Sequence, residues 1–164
     1  MAVAEVAAPD GETLEREIVH HPGAVSVVPV HDDGTVVLMR QYRAALDADL
    51  LEIPAGKRDV TGEPPEATAH RELAEEVGLA AGRLEKLAEF HNSAGFSDEL
   101  SLVYLGTELT PAPQSLQGVE EQHSTIEEIR LDDVPAMIAD GRLRDAKTII
   151  GLLMAREQLS PRDR

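Results

Sequence analysis

Residues Gly56 to Leu79 read GKRDVTGEPPEATAHRELAEEVGL, and the rest of the chain is best read outward from them. Pro64 and Pro65 open a helix, since the first-turn N–H groups have no intrahelical partner to lose. Ala69, Leu73 and Val77 recur at spacing four and form its apolar face, and Gly78 is the stop. Glu72, Glu75 and Glu76 fall within roughly 100° of arc on the other side. Three anions so close repel one another unless a cation neutralises them. Magnesium prefers carboxylate and carbonyl oxygens, so the cluster is a candidate metal site. The loop opening at Pro54-Ala55-Gly56 offers a backbone carbonyl as a further hard ligand. A Glu-rich face is also what solvation alone produces, and Arg71 stands at ion-pair spacing from Glu75. Helix spacing by itself leaves both readings open.

The stretches on either side read mostly as strand. Thr13 to His20, Ala24 to His31, Thr35 to Gln41 and Leu50 to Ile53 precede the helix, with Asp32-Asp33-Gly34 as a hairpin turn. Leu84 to His91, Leu100 to Gly106 and Thr125 to Leu131 follow it, with a polar loop from Pro111 to Glu121. Asp132 and Asp133 begin a short helix that stops near Gly141. Ala146 to Gln158 is expected as a final helix, with Ile149, Ile150 and Leu153 facing inward. Strand runs around one central helix, closed by terminal helices, predict an α+β fold: a mixed sheet sandwiched between helices. One domain spanning residues 1–164 fits the length, with residues 1–11 as a flexible lead-in.

Composition narrows the function. The chain carries 15 Lys and Arg against 31 Asp and Glu, a formal charge of −16. Nucleic-acid polymers and anionic membranes need a basic footprint, which is missing. An anionic small molecule remains open, provided a divalent cation stands between it and the protein. With no cysteine, disulfide scaffolds, thiol catalysis and Cys-based zinc sites are excluded. The longest apolar run, Ile149 to Ala155, falls far short of the ~20 residues a membrane helix needs. A soluble, cytoplasmic protein is expected. His20 and His21, adjacent in sequence, do not have the spacing of a zinc pair, and they read as surface or loop residues.

From Glu63 onward, the run through Arg71-Glu72-Leu73, Glu75-Glu76 and Gly78-Leu79 matches every fixed position of the Nudix box, GX5EX7REUXEEXGU with U aliphatic. Gly56 lies seven residues before Glu63 rather than six, so the loop carries one extra residue. Pro22-Gly-Ala-Val, Arg40-Gln-Tyr-Arg43, Leu51-Glu-Ile-Pro-Ala-Gly56 and Gly95-Phe-Ser-Asp-Glu99 extend the likeness from about Glu12 to Glu157. Over that length the chain resembles bacterial ADP-ribose pyrophosphatases of the Nudix hydrolase family, the actinobacterial ones especially. It departs from them at Ser93-Ala94-Gly95, where Ser-Pro-Gly is usual.

The resemblance implies hydrolysis of the ADP-ribose diphosphate to AMP and ribose 5-phosphate with Mg2+, or Mn2+ as a substitute. The Ala94 departure keeps open another nucleoside diphosphate sugar or an oxidised nucleoside triphosphate. Carried over by position, Glu72, Glu75, Glu76 and the Ala55 carbonyl are the implied metal ligands, and Glu63, Arg71 and Glu52 hold loop and helix in place. Glu76 also counts among the catalytic residues. The implied base is Glu120 or Glu121, the choice between them unresolved. Arg43, and more weakly Arg40, are implied phosphate contacts, and Gly95 and Glu99 border the terminal ribose. The resemblance also implies a homodimer whose partner helps hold the adenine. Tyr42, Phe90, Phe96 and Tyr104 are too few aromatics to build a stacking platform easily from one chain.

Overall fold

The computed structural model describes residues 1–116 and 123–160. Among the described residues the strands are β1 (Ala2–Ala7), β2 (Thr13–Ile18), β3 (Ala24–Pro29), β4 (Thr35–Arg43), β5 (Ala48–Glu52), β6 (Ala55–Lys57), β7 (Leu79–His91), β8 (Leu100–Pro111) and β9 (Thr125–Arg130). The helices are α1 (Pro65–Val77), α2 (Val134–Ala139) and α3 (Ala146–Leu159), with a 3-10 turn at Leu131–Asp133 before α2.

Two sheets build the body. One has the order β6-β3-β8-β7, with β3 parallel to β8 and the other pairs antiparallel; the second is antiparallel, in the order β5-β4-β9. Central strands that alternate between two buried faces explain the apolar runs of the sequence. Val25 and Val27 of β3, Val37 and Met39 of β4, and Leu102 and Tyr104 of β8 pack with Ala69, Leu73 and Val77 of α1. The residues between them, Val28, Val36, Leu38, Val103 and Leu105, pack on the other side with Val134, Met137, Leu152 and Ala155 of α2 and α3. Sheets between helices on both sides give the expected α+β sandwich. At about 25 cal/mol per Å2 of apolar surface, these two layers are the main source of stability.

The hairpin turn forms as expected. The Gly34 N–H donates to the His31 carbonyl at 2.9 Å, and Gly34 has φ 81°, the left-handed conformation such a turn demands. Helix α1 begins at Pro65 and ends where Gly78 turns left-handed, its N–H donating to the Ala74 carbonyl at 3.0 Å. Both boundaries were legible.

Several expectations are corrected. Residues 2–7, inside the stretch read as a lead-in, form β1, paired along its length with β2 in a separate two-stranded sheet. Strand β7 begins at Leu79 rather than Leu84, because pairing with β8 outweighs the weak strand preference of Ala80-Ala81-Gly82. The three-residue β6, expected as loop, is a strand only because β3 pairs with it. Leu153 in α3 is 42% exposed, and Gly151, Leu152 and Ala155 take the buried face instead. Gly151 makes that possible, since a Cβ there would meet Val28 at 2.9 Å and Val103 at 3.0 Å.

Candidate active site

The box helix lies against β6, and this contact places the carboxylates. The Ala55 N–H donates to Glu76 Oε2 at 2.8 Å. Glu76 is therefore buried at the seam between helix and strand; at about 100° per residue it lies only about 60° around the helix from Leu73, so the expectation of an opposite face is corrected. One turn earlier, the Glu72 carboxylate lies over Gly56. A Cβ built on Gly56 would meet Glu72 Cδ at 1.9 Å, so only glycine admits the carboxylate there. The Gln114 side chain donates to the Glu76 carbonyl at 2.6 Å, and the Ser115 N–H to the Glu75 carbonyl at 3.1 Å. The end of α1 is thus tied down by the segment after β8.

Arg71 holds the remaining acids. Its Nη1 donates to Glu72 at 2.7 Å and to Glu75 at 3.1 Å, and its Nε and Nη2 donate to the two Glu63 oxygens at 3.3 and 3.2 Å. Glu63 in turn accepts from the Thr68 hydroxyl at 2.7 Å. Bonding to Glu63, with the Glu72 charge, raises the Arg71 pKa further; Arg71, then Thr68, lowers that of Glu63. Among the described residues, no three Asp, Glu or His side chains already converge as a metal-binding group. The donor set is nonetheless one for a hard cation: several carboxylates beside a strand backbone, one of them seated where a Cβ would stand.

A second charged group faces the same space from β4, β5 and α3. Arg43 grips Glu52 with both prongs, Nε to Oε1 at 2.7 Å and Nη2 to Oε2 at 2.6 Å. The same Glu52 Oε2 accepts a short hydrogen bond from Lys147 Nζ, which also donates to Asp145 at 3.0 Å. Asp145 caps α3, accepting from the Thr148 N–H at 3.0 Å and hydroxyl at 2.6 Å. Thr148 accepts from the Ile53 N–H at 3.0 Å, closing the circuit beside Glu52. Burial pushes the Glu52 carboxyl up, but Arg43 and Lys147 outweigh it and hold it below the ordinary glutamate range.

Two adjoining cavities join these groups. One, of about 330 Å3, is lined by Arg71, Glu72, Glu75 and Glu76; the other, of about 510 Å3, by Glu52, Ser93, Glu99 and Lys147. Arg43, Ala55, Gly56 and Lys57 line both. Glu99 reaches the larger one because its loop is stitched to the segment after β2. Asp98 accepts from His20 Nδ1 at 2.6 Å and from the His21 N–H at 2.8 Å. Both histidines are bound up in this loop contact, in keeping with the loop reading.

The structure thus assembles Ala55, Glu72, Glu75, Glu76, Arg43 and Glu99 around one trough. Gly95 and Arg40 line neither cavity; Arg40 is paired with Glu127, Nε to Oε1 at 2.5 Å. Glu120 and Glu121 lie outside the described residues. Lys147 and Asp145 were missed by sequence reasoning. The available signal was Asp145 three residues before Thr148, a helix-start pattern with a lysine inside it.

Comparison with known proteins agrees with this geometry. The chain is similar to an ADP-ribose pyrophosphatase of Bacillus subtilis (strain 168), 40% identical over 146 residues, or 89% of this chain and 78% of that one. It is 38% identical to a methanol dehydrogenase activator of Bacillus methanolicus, covering 93% of this chain and 82% of the relative. An ADP-ribose pyrophosphatase of Mycobacterium tuberculosis is likewise 38% identical, with 91% and 72% covered. Among solved structures, one described as an ADP compounds hydrolase superposes with a TM-score of 0.80 at 25% identity, covering 96% of this chain and 84% of that one. The NUDIX domain model matches residues 20–150, and on these grounds the chain belongs to the NUDIX family.

Proposed function

We propose that this chain, as one domain over residues 1–164, hydrolyses the diphosphate of ADP-ribose to AMP and ribose 5-phosphate with Mg2+, Mn2+ serving as a substitute. One observation carries the reading: Glu72 and Glu76 stand against Ala55 and Gly56 at one end of a trough whose other part holds Arg43. The names of the Bacillus subtilis and Mycobacterium tuberculosis relatives supply the substrate.

Glu72, Glu75, Glu76 and the Ala55 carbonyl would hold the ion. When bound, it neutralises phosphate charge and lowers the cost of bringing water to an anion. The residues do the rest by position. Arg43 gives Nε and Nη2 to Glu52, which fixes the guanidinium plane and leaves Nη1 to donate to the phosphates. Arg71 and Glu63 hold the helix and its preceding loop in register. Glu99, which lines the larger cavity, borders the terminal ribose with Gly95 four residues before it, and Arg40, held by Glu127, is the weaker phosphate contact. Glu120 or Glu121 takes the proton of the attacking water while the P–O bond to the leaving phosphate breaks.

The test is formation of AMP and ribose 5-phosphate from ADP-ribose with Mg2+, in wild type and Glu76→Gln. Turnover is expected in the first and strongly reduced in the second. Wild type that leaves ADP-ribose intact overturns the substrate; an undiminished variant removes Glu76 from the chemistry.

Ala94, at the place of the proline in the Ser-Pro-Gly of the related pyrophosphatases, motivates a second reading: another nucleoside diphosphate sugar or an oxidised nucleoside triphosphate. A side-by-side substrate panel separates the two, and a strong preference for a triphosphate rules out the first. The protein is proposed to act in the cytoplasm as a homodimer, the partner helping to hold the adenine. Sedimentation at working concentration checks the dimer.

A further inference from the structure

Beyond the ligands and contacts named so far, the trough contains one buried cation with no role, Lys147. Its side chain is 14% exposed and lines the larger cavity beside Arg43 and Glu52. Its two carboxylate partners, Glu52 and Asp145, are themselves 3% and 18% exposed. Four formal charges meet here: Arg43 and Lys147 against Glu52 and Asp145, all within one hydrogen-bonded chain. They cancel. Without Lys147 the same wall would carry one excess negative charge, largely shielded from solvent, in a protein already at −16.

We propose that Lys147 is a specificity-determining residue for anionic substrates: by neutralising Glu52 and Asp145 together, it leaves the Arg43 guanidinium able to receive a phosphate. The inference rests on the reading that this trough takes a nucleoside diphosphate. With Lys147 in place, Glu52 gives both oxygens to Arg43 and shares Oε2 with Lys147, so an incoming phosphate at Arg43 Nη1 meets a neutral wall. With Lys147 removed, the buried Glu52 has Arg43 as its one cation partner, and a phosphate at Nη1 then competes with that carboxylate for a single positive charge. Asp145 would be left beside it with only the α3 terminus to balance its charge. An uncharged ligand would feel none of this. The signature is therefore a loss selective for charge.

The experiment is calorimetric titration of the whole protein with ADP and with adenosine in buffer with saturating Mg2+. Wild type should bind ADP more tightly than adenosine. Lys147→Met should weaken ADP by about tenfold, the effect of one unscreened charge at this range, and leave adenosine within about twofold. Lys147→Arg should retain ADP binding. The double variant Lys147→Met/Asp145→Asn removes one charge of each sign, keeps a capping side chain on α3, and should recover most of the lost ADP affinity. Equal losses for ADP and adenosine would mean a structural lysine and overturn the proposal. So would a double variant that stays as weak as the single one. Both results leave the hydrolysis reading intact. Wild type that binds ADP no better than adenosine overturns the proposal and the diphosphate reading together.

Discussion

The carboxylate of Glu72 occupies the place where a side chain on Gly56 would begin, its Cδ 1.9 Å from an ideal Cβ. Strand β6 and helix α1 meet through that missing atom. Gly56→Ala should push Glu72 off the strand by an ångström or more and lower kcat/KM by about 100-fold, the usual cost of such a displacement at a reacting centre. Steady-state kinetics check it. Because Gly56 does not require positive φ, the fold should survive, as thermal unfolding would report.

Glu76→Gln keeps an oxygen able to accept from the Ala55 N–H but removes the charge. The variant should stay folded and need about 10- to 100-fold more Mg2+ for half-maximal activity, the range seen when a metal centre loses support. A metal titration of initial rates measures this directly.

Arg71 is the counter-charge for Glu63, Glu72 and Glu75. Arg71→Met should lower the melting temperature in metal-free buffer by a few degrees. Added Mg2+ should raise it by more than it does in wild type, since the ion then neutralises acids the arginine no longer holds. Paired thermal scans with and without Mg2+ give the comparison.

Glu52 sets an acid limit. Its folded-state pKa is depressed, because Arg43 and Lys147 outweigh burial. A depressed carboxyl stabilises the fold fully above its ordinary range, and that contribution disappears as pH falls through the folded value. Wild-type stability should therefore drop below about pH 5, and Glu52→Gln should flatten part of that drop while being less stable at pH 7. Denaturant midpoints at intervals from pH 7 to pH 3 test both parts.

What the sequence revealed depends on how local each cause is. Helix α1 was legible from Pro64 to Gly78 because its entry, its apolar face and its left-handed stop are all written within one segment. The Asp32-Asp33-Gly34 turn was legible for the same reason. Strand β6 was not, since three residues have no periodicity and the strand exists only through β3. The burial of Glu76 also escaped, because helix geometry gives angles around an axis but not what lies against them. Lys147 was the largest omission in the trough. Its partner Glu52 is 95 residues away, and no spacing rule spans that interval.

Residues Glu52 to Ala55 leave β5 in one sheet and enter β6 in the other, the Pro54 carbonyl accepting from the Val27 N–H at 2.9 Å on the way. One wall of the trough, with Arg43 and Glu52, belongs to the first of these sheets; the floor at Ala55 and Gly56 belongs to the second. Neither sheet contains a site by itself. During folding, then, strands and helices can form and even pair without creating any catalytic power, which arises only when the two sheets dock and α3 seals the joint through Thr148 and Ile53. Enzymatic activity in this chain therefore reports the docked pair of sheets, not either sheet alone.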